Sequence, residues 1–102
     1  MPIHMTARFR IKPEAQAQVE QAIREFVAYV QSTEPDTLAY TALQESADAL
    51  SFLHVFSFRD AAARERHSSS PGVRRFTEVL YPECVTPPVF TEYEAVASTW
   101  RT

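Results

Sequence analysis

Glycine and cysteine are nearly absent from this 102-residue sequence, which contains one of each, Gly72 and Cys84. Phosphate-binding loops and dinucleotide fingerprints need several closely spaced glycines, so the sequence excludes both. One cysteine excludes an intramolecular disulfide, and we expect Cys84 to be a small buried residue rather than an activated nucleophile. The histidines and the cysteine lack the spacing of a zinc site, and no nucleophile-elbow motif is present.

Basic charge and long apolar runs are also scarce. Ten Lys and Arg residues stand against 13 Asp and Glu, for a net charge of −3. Nucleic acids and anionic membranes are bound by basic surfaces, so neither is an expected partner. No apolar run approaches the roughly 20 residues of a membrane span, and the N-terminus has no signal-peptide pattern. The sequence therefore predicts a soluble cytoplasmic protein.

Aromatic residues are plentiful, with seven Phe, four Tyr and one Trp, and 45% of all residues are apolar. This composition supports a packed core and leaves rings available to line a cavity or a subunit contact. The length suits one domain that spans residues 1–102. We expect Trp100, in the C-terminal tail, to anchor that tail on a partner subunit.

Hydrophobic periodicity predicts the order β-α-β-β-α-β, with the second helical region broken into two short helices. Asp60 and Ser70 are the expected N-caps of those two helices. The order is that of a ferredoxin-like α+β sandwich with an antiparallel sheet, in which the first and last strands are neighbours. The predicted strands are 3–11, 37–45, 50–58 and 89–96, and the predicted helices are 13–32, 61–69 and 71–80.

Two expectations follow for the faces of the sheet. In the third strand Phe52 and Phe56 share one face, while Leu53 and Val55 lie on the other, so both faces are apolar. Helices can cover one face, and we expect a second copy of the chain to cover the other in a homodimer.

A second expectation concerns charge: we expect two pairs of opposite charge across the first and last strands, worth roughly 0.2–1 kcal/mol each. These pairs would join Arg8 and Arg10 to Glu92 and Glu94.

The sequence resembles the antibiotic biosynthesis monooxygenase family of dimeric α+β barrels. The resemblance extends over about residues 5–96, and its most specific parts are a Glu-Pro-x-Thr-x-x-Tyr segment and an Asp-x-x-Ala…His…Ser-Pro run. It implies a dimer, and for enzymatic members it implies oxidation of phenols or quinols by O₂ with no metal or flavin cofactor. The matching segments are 7–14, 34–40, 56–63 and 67–71.

Haem degradation, which another branch of this family performs, is not expected here. That branch uses an Asn on the first strand, a Trp on the helix after the third strand and a His ligand further along. The corresponding positions hold Ala7, His67 and Thr77, and the sequence contains no Asn.

His67 is the leading catalytic candidate, because it stands at the end of a short helix where the helix dipole favours a protonated imidazole. It could accept the proton of a phenol or quinol and leave an electron-rich anion for O₂. The alternative, which is the commoner role, is a histidine that hydrogen-bonds the helix end and holds the 68–70 turn.

His54 is a second candidate base and Tyr40 a candidate for orienting a substrate oxygen, although a hydrogen-bonded core or interface role is open for both. Four aromatic residues could wall a pocket, although each one alone is more commonly an ordinary core residue: Phe56, Phe76, Tyr81 and Phe90. The function that the family resemblance implies, together with the aromatic residues and the lack of a cofactor motif, is cofactor-independent oxidation of a small aromatic molecule. The alternative is a non-catalytic dimeric module of the same fold that binds a small molecule or a protein.

Overall fold

The computed structural model describes residues 2–99, so the expected role of Trp100 lies outside the described residues. The fold is α+β, as the periodicity predicted. Pro13–Ala15 forms a short 3-10 turn that leads into the first helix, and Tyr81–Glu83 forms another after the last helix. The strands are β1 Ile3–Arg10, β2 Thr37–Gln44, β3 Ser51–Phe58 and β4 Val89–Tyr93, and the helices are α1 Gln16–Thr33, α2 Ala61–Ser68 and α3 Pro71–Leu80.

The four strands form one antiparallel sheet in the order β2-β3-β1-β4, which confirms the ferredoxin-like topology. β1 is central, and Ala7 lies opposite His54 on β3 and opposite Phe90 on β4. Because side chains that face each other across an antiparallel pair share a face, these three residues lie on the same side of the sheet. The helices cover that side.

The expected charge pairs between β1 and β4 were wrong. Glu92 lies opposite Met5, and Arg8 lies opposite Val89, so Glu92 and Arg8 are on opposite faces of the sheet. Alternation along a strand determines which of its own residues share a face. It does not determine how two strands pair, and a shift of the pairing by one residue moves every side chain of a strand to the other face of the sheet. Glu92 instead binds Arg64 of α2 at 2.8 Å, and Arg10 binds Asp48 at 2.9 Å.

The helix-side core forms because α1 presents apolar residues at helical spacing. Its buried residues recur every three or four positions, which places them on one stripe against the sheet. Phe26 stacks on Phe76 of α3 with ring centroids 4.7 Å apart, and this joins the two helices over the strands. The buried residues of α1 are Val19, Ile23, Phe26 and Val30.

The break between α2 and α3 has the expected caps. The Asp60 carboxylate accepts a hydrogen bond from the amide of Ala63 at 2.9 Å. The Ser70 hydroxyl accepts one from the amide of Val73 at 3.1 Å. These caps start each helix at a defined residue, so His67 falls in the last turn of α2.

The opposite face of the sheet is not covered by the helices and exposes large apolar side chains, including Leu43 and Val55. Cys84 is half-buried rather than fully buried. It lies in the connection between α3 and β4, where its backbone forms an isolated antiparallel β-bridge with Ile11. None of the helices within residues 2–99 has the length and apolar character needed to cross a membrane.

Candidate functional site

A cavity of about 260 Å³ lies between the sheet and the helices. It is slightly smaller than the ~300–1,000 Å³ typical of ligand pockets, which suits a small ligand. Its wall is mostly apolar and draws on β1, β2 and β3, on all three helices and on β4. Every site residue predicted from the sequence lies on this wall: His67, Tyr40, His54, Phe56, Phe76, Tyr81 and Phe90.

His67 is held by a carboxylate rather than by the helix end. Its Nδ1 lies 2.7 Å from Oε1 of Glu34, and the two side chains are 10% and 11% exposed. Glu34 also accepts a hydrogen bond from the Thr37 hydroxyl at 2.7 Å. The structural role expected for this imidazole, a bond to its own helix end, is therefore not what the geometry shows. A different residue, Glu34 at the end of α1, orients the ring.

The carboxylate determines which nitrogen of His67 can accept a proton. An ionised carboxylate has no hydrogen to donate and can only accept a hydrogen bond. The hydrogen between Glu34 and His67 is therefore on Nδ1 of His67. The second nitrogen, Nε2, is then the unprotonated one in the neutral ring. The Glu34–His67 pair therefore leaves one ring nitrogen of a cavity-lining residue without a hydrogen when the ring is neutral.

His54 forms a second pair, with Tyr40. The Tyr40 hydroxyl oxygen lies 2.7 Å from Nδ1 of His54. Burial lowers the pKa of His54 to about 4, so the ring is neutral near pH 7. Burial, and then the nearby negative charge of Glu34, raise the pKa of Tyr40 well above its usual range, so the phenol keeps its proton.

Two buried polar atoms of these pairs have no protein partner among residues 2–99: Nε2 of His54 and Oε2 of Glu34. An unpartnered polar group in a protein interior costs about 1–3 kcal/mol. A water molecule or a ligand bonded to such an atom removes this cost.

Stacked rings hold the two pairs in place. Tyr40 stacks on Phe56 with centroids 4.9 Å apart, and the His67 ring lies 5.0 Å from that of Phe58. Tyr81 and Phe90 are about half exposed and line the solvent side of the cavity. The cavity thus has a buried polar end and an aromatic rim.

Sequence reasoning gave Glu34 no role, although the Glu-Pro-Asp segment was part of the family resemblance. The signal that could have found it is an acidic residue at the end of a long helix, preceding a proline turn.

Arg75, a basic residue near the site in sequence, lies off the cavity and stacks over the Tyr29 ring at 5.3 Å. Burial raises the pKa of the Cys84 thiol, which disfavours a thiolate nucleophile. Residues 2–99 contain no cluster of three or more His, Cys, Asp or Glu side chains that could hold a metal ion.

Comparison with known proteins determines the family. The sequence matches the antibiotic biosynthesis monooxygenase family over residues 2–79, which is more than half of the chain. The chain belongs to the antibiotic biosynthesis monooxygenase family. A comparison with curated proteins gives no match.

Solved structures agree with the family and with the fold. The crystal structure of an antibiotic biosynthesis monooxygenase superimposes with a TM-score of 0.86 at 25% identity, and covers 93% of this chain and 99% of its own. The structure of PA3566 from Pseudomonas aeruginosa superimposes with a TM-score of 0.84 at 24% identity, and covers 94% of this chain and 95% of its own. The structure of Rv0793 from Mycobacterium tuberculosis superimposes with a TM-score of 0.88 at 15% identity, and covers 98% of this chain and 100% of its own. At such identities the last two likenesses concern the fold alone.

Proposed function

We propose that this family member is a cofactor-independent monooxygenase that oxidises a small phenol or quinol with O₂ in the cavity. His67 is the proton acceptor in this proposal. The observation that carries it is the buried Glu34–His67 pair, 2.7 Å between Nδ1 and Oε1, on the wall of an otherwise aromatic cavity. Family membership supports the reaction class.

The reaction begins with transfer of the phenolic proton to Nε2 of His67. The resulting phenolate gives one electron to O₂, and the ring radical and superoxide then combine to form a carbon–oxygen bond. The ring carbon that gained oxygen then loses its hydrogen as the O–O bond breaks, which leaves one oxygen atom on the ring. The other oxygen atom leaves as water, with that hydrogen and the proton returned by His67. A phenol thereby becomes a quinone, and a quinol becomes a hydroxyquinone. The substrate supplies all the electrons, so the equation balances with O₂ as the sole oxidant.

The first step is the one that the protein must assist. A phenol has a pKa of about 10 and a free imidazole one of about 6.5, so the transfer is about 5 kcal/mol uphill in water. The Glu34 carboxylate beside the ring stabilises the imidazolium that forms, and the cavity excludes water around the new charges. A general base typically contributes about 10²–10⁴-fold in rate.

His54 is not the base in this proposal. Burial lowers its pKa to about 4, so it is a weaker base than a free imidazole. In this proposal the aromatic wall, which includes Phe56 and Phe76, holds the ring of the substrate.

The test is O₂ uptake by metal-free protein with a panel of phenols and quinols. We expect turnover by the wild type and a loss of at least 100-fold in His67→Ala, with a matched control in Glu65→Ala, which alters an exposed residue of the same helix outside the cavity. No O₂ consumption above the His67→Ala level across the panel would contradict the proposal. Saturable binding without any product would instead favour the non-catalytic binding module.

We propose in addition that the protein is a homodimer that pairs through the face of the sheet opposite the helices. Members of this family commonly form dimers. Burying apolar area stabilises association by about 25 cal/mol per Å², and this face offers such area. Its exposed apolar side chains are Leu43, Val55, Val89 and Tyr93.

A further inference from the structure

His54 and His67 line one cavity but have different hydrogen-bond partners. His67 is oriented by a carboxylate, which leaves Nε2 as an acceptor of protons. His54 is oriented by the Tyr40 hydroxyl, and its own Nε2 is buried without a partner among residues 2–99. The His54 side chain is 1% exposed.

The Tyr40 contact determines where the hydrogen of His54 lies. Tyr40 keeps its proton, because burial and Glu34 raise the pKa of its hydroxyl. That hydrogen has one acceptor within reach among the described residues, Nδ1 of His54 at 2.7 Å. If Nδ1 carried the hydrogen instead, the hydroxyl hydrogen would have no acceptor. The hydroxyl therefore donates to Nδ1, and the hydrogen of the neutral ring is on Nε2.

We propose that the Nε2–H of His54 donates a hydrogen bond to a second oxygen atom of the substrate, and that Tyr40 is the positioning residue for this donor. The substrate is then an aromatic ring with two oxygen substituents, one that loses its proton to His67 and one that accepts from His54. This inference rests on the proposed function, because it names the substrate class for the same cavity.

The packing around His54 is consistent with a fixed donor. Phe76 stacks on the imidazole with centroids 5.9 Å apart, and Phe9 packs edge-on at 5.1 Å. The Tyr40 ring lies 5.4 Å from the His54 ring and 6.1 Å from the His67 ring, so both imidazoles lie beside the same phenol ring of the cavity wall.

A site that hydrogen-bonds a substrate oxygen discriminates against an analogue without that oxygen, because the donor is then left unpaired. Loss of one such bond costs roughly 1–3 kcal/mol, which is about 5- to 150-fold in affinity. We therefore expect a two-oxygen ligand to bind at least 10-fold more tightly than its one-oxygen partner.

The experiment measures binding by calorimetry without O₂, so that turnover plays no part. The probes are 1,4-dihydroxybenzene against phenol, and 4-hydroxyacetophenone against 4-ethylphenol. His54→Leu removes the donor, whereas His54→Gln keeps an N–H group near the position of Nε2. We expect the 10-fold preference in the wild type and in His54→Gln, and a preference below threefold in His54→Leu. Circular dichroism spectra verify that each variant is folded.

The outcomes separate this inference from the proposed function. If no two-oxygen probe binds more tightly than its partner, or if His54→Leu keeps the preference, the inference is wrong whether or not O₂ is consumed. If the preference depends on His54 but no probe consumes O₂, the inference holds and the proposed reaction fails.

The role of Tyr40 has its own spectroscopic readout. Nitrogen-15 chemical shifts of His54 should report the Nε2–H tautomer in the wild type and a mixture of tautomers in Tyr40→Phe. An unchanged tautomer in Tyr40→Phe would show that Tyr40 does not position the donor.

Discussion

At the residue scale, two histidines of one cavity have different hydrogen-bond partners. His67 has a carboxylate partner at 2.7 Å, which accepts the hydrogen of Nδ1. His54 has a phenol partner and is fully buried, which favours the neutral ring. The residue type alone says nothing of this difference.

Replacement of Glu34 by Gln should separate charge from geometry at His67. The amide oxygen of Gln can still accept from Nδ1, so the ring keeps its place, but the imidazolium loses its counter-charge. We expect kcat to fall about 10- to 100-fold, or 1.4–2.7 kcal/mol in the barrier, with little change in KM, as measured by O₂ uptake. The control is Glu65→Gln, an exposed carboxylate on α2. Equal activity of Glu34→Gln and wild type would contradict this role.

Mild acid should destabilise the wild type more than His54→Gln. The pKa of His54 is lowered to about 4 in the folded protein, against about 6.5 in the unfolded chain. The unfolded chain therefore binds the proton first, and stability present above pH 6.5 is lost as the pH falls towards 4. Between pH 7 and pH 5 the loss is about 2 kcal/mol. Urea unfolding at both pH values measures it, and an equal loss in the two proteins would refute the assignment.

At the element scale, the break between α2 and α3 positions the candidate base. Caps at Asp60 and Ser70 limit α2 to two turns, and His67 lies on its last turn, facing the end of α1. α3 then packs closely on α1 because its second residue is Gly72. A Cβ atom at that position would overlap the ring of Tyr29.

Gly72→Ala should therefore destabilise the protein by about 1–3 kcal/mol, because the added methyl group forces α3 away from α1. In a Tyr29→Ala background the ring is gone, and the same substitution should cost less than 1 kcal/mol. Chemical unfolding of the four proteins in this cycle gives the coupling. Equal costs in the two backgrounds would show that the Tyr29 contact is not the reason for glycine here.

At the scale of the whole molecule, the sheet separates two surfaces with different uses. The helix side contains the core and the cavity, while the opposite face exposes Leu43, Val55, Val89 and Tyr93. In the proposed dimer this second face is buried against another copy, which leaves the cavity of each subunit on the outside of the interface.

Sedimentation equilibrium should give a mass about twice the 11.6 kDa of one chain. Val55→Asp places a charge in the proposed interface, and we expect it to shift the equilibrium towards monomer by at least 10-fold, since an unpaired buried charge costs several kcal/mol. Gln31→Asp, on the exposed side of α1, is the matched control. A wild-type mass near that of one chain would contradict the dimer.

The sequence predicted the elements, the faces of β3 and both caps, because these depend on spacing along one segment. Alternation placed Phe52, His54 and Phe56 on one face of β3, and the structure agrees. Topology then brought the predicted site residues to one wall. The sequence did not predict the register of β4, and the pairs expected of Arg8 and Arg10 with its glutamates were wrong. Register depends on how strands meet, and no local pattern encodes it.

The sequence by itself determined the family, the fold and the two candidate histidines, since each follows from residue type and short-range order. The tertiary structure alone decided their partners. Glu34 and His67 are 33 positions apart, and Tyr40 and His54 are 14 apart. Such contacts form when α2 packs against the end of α1 and when β2 pairs with β3. The hydrogen-bonding role of each ring nitrogen follows from those contacts, because the group that an imidazole nitrogen contacts determines whether that nitrogen donates or accepts.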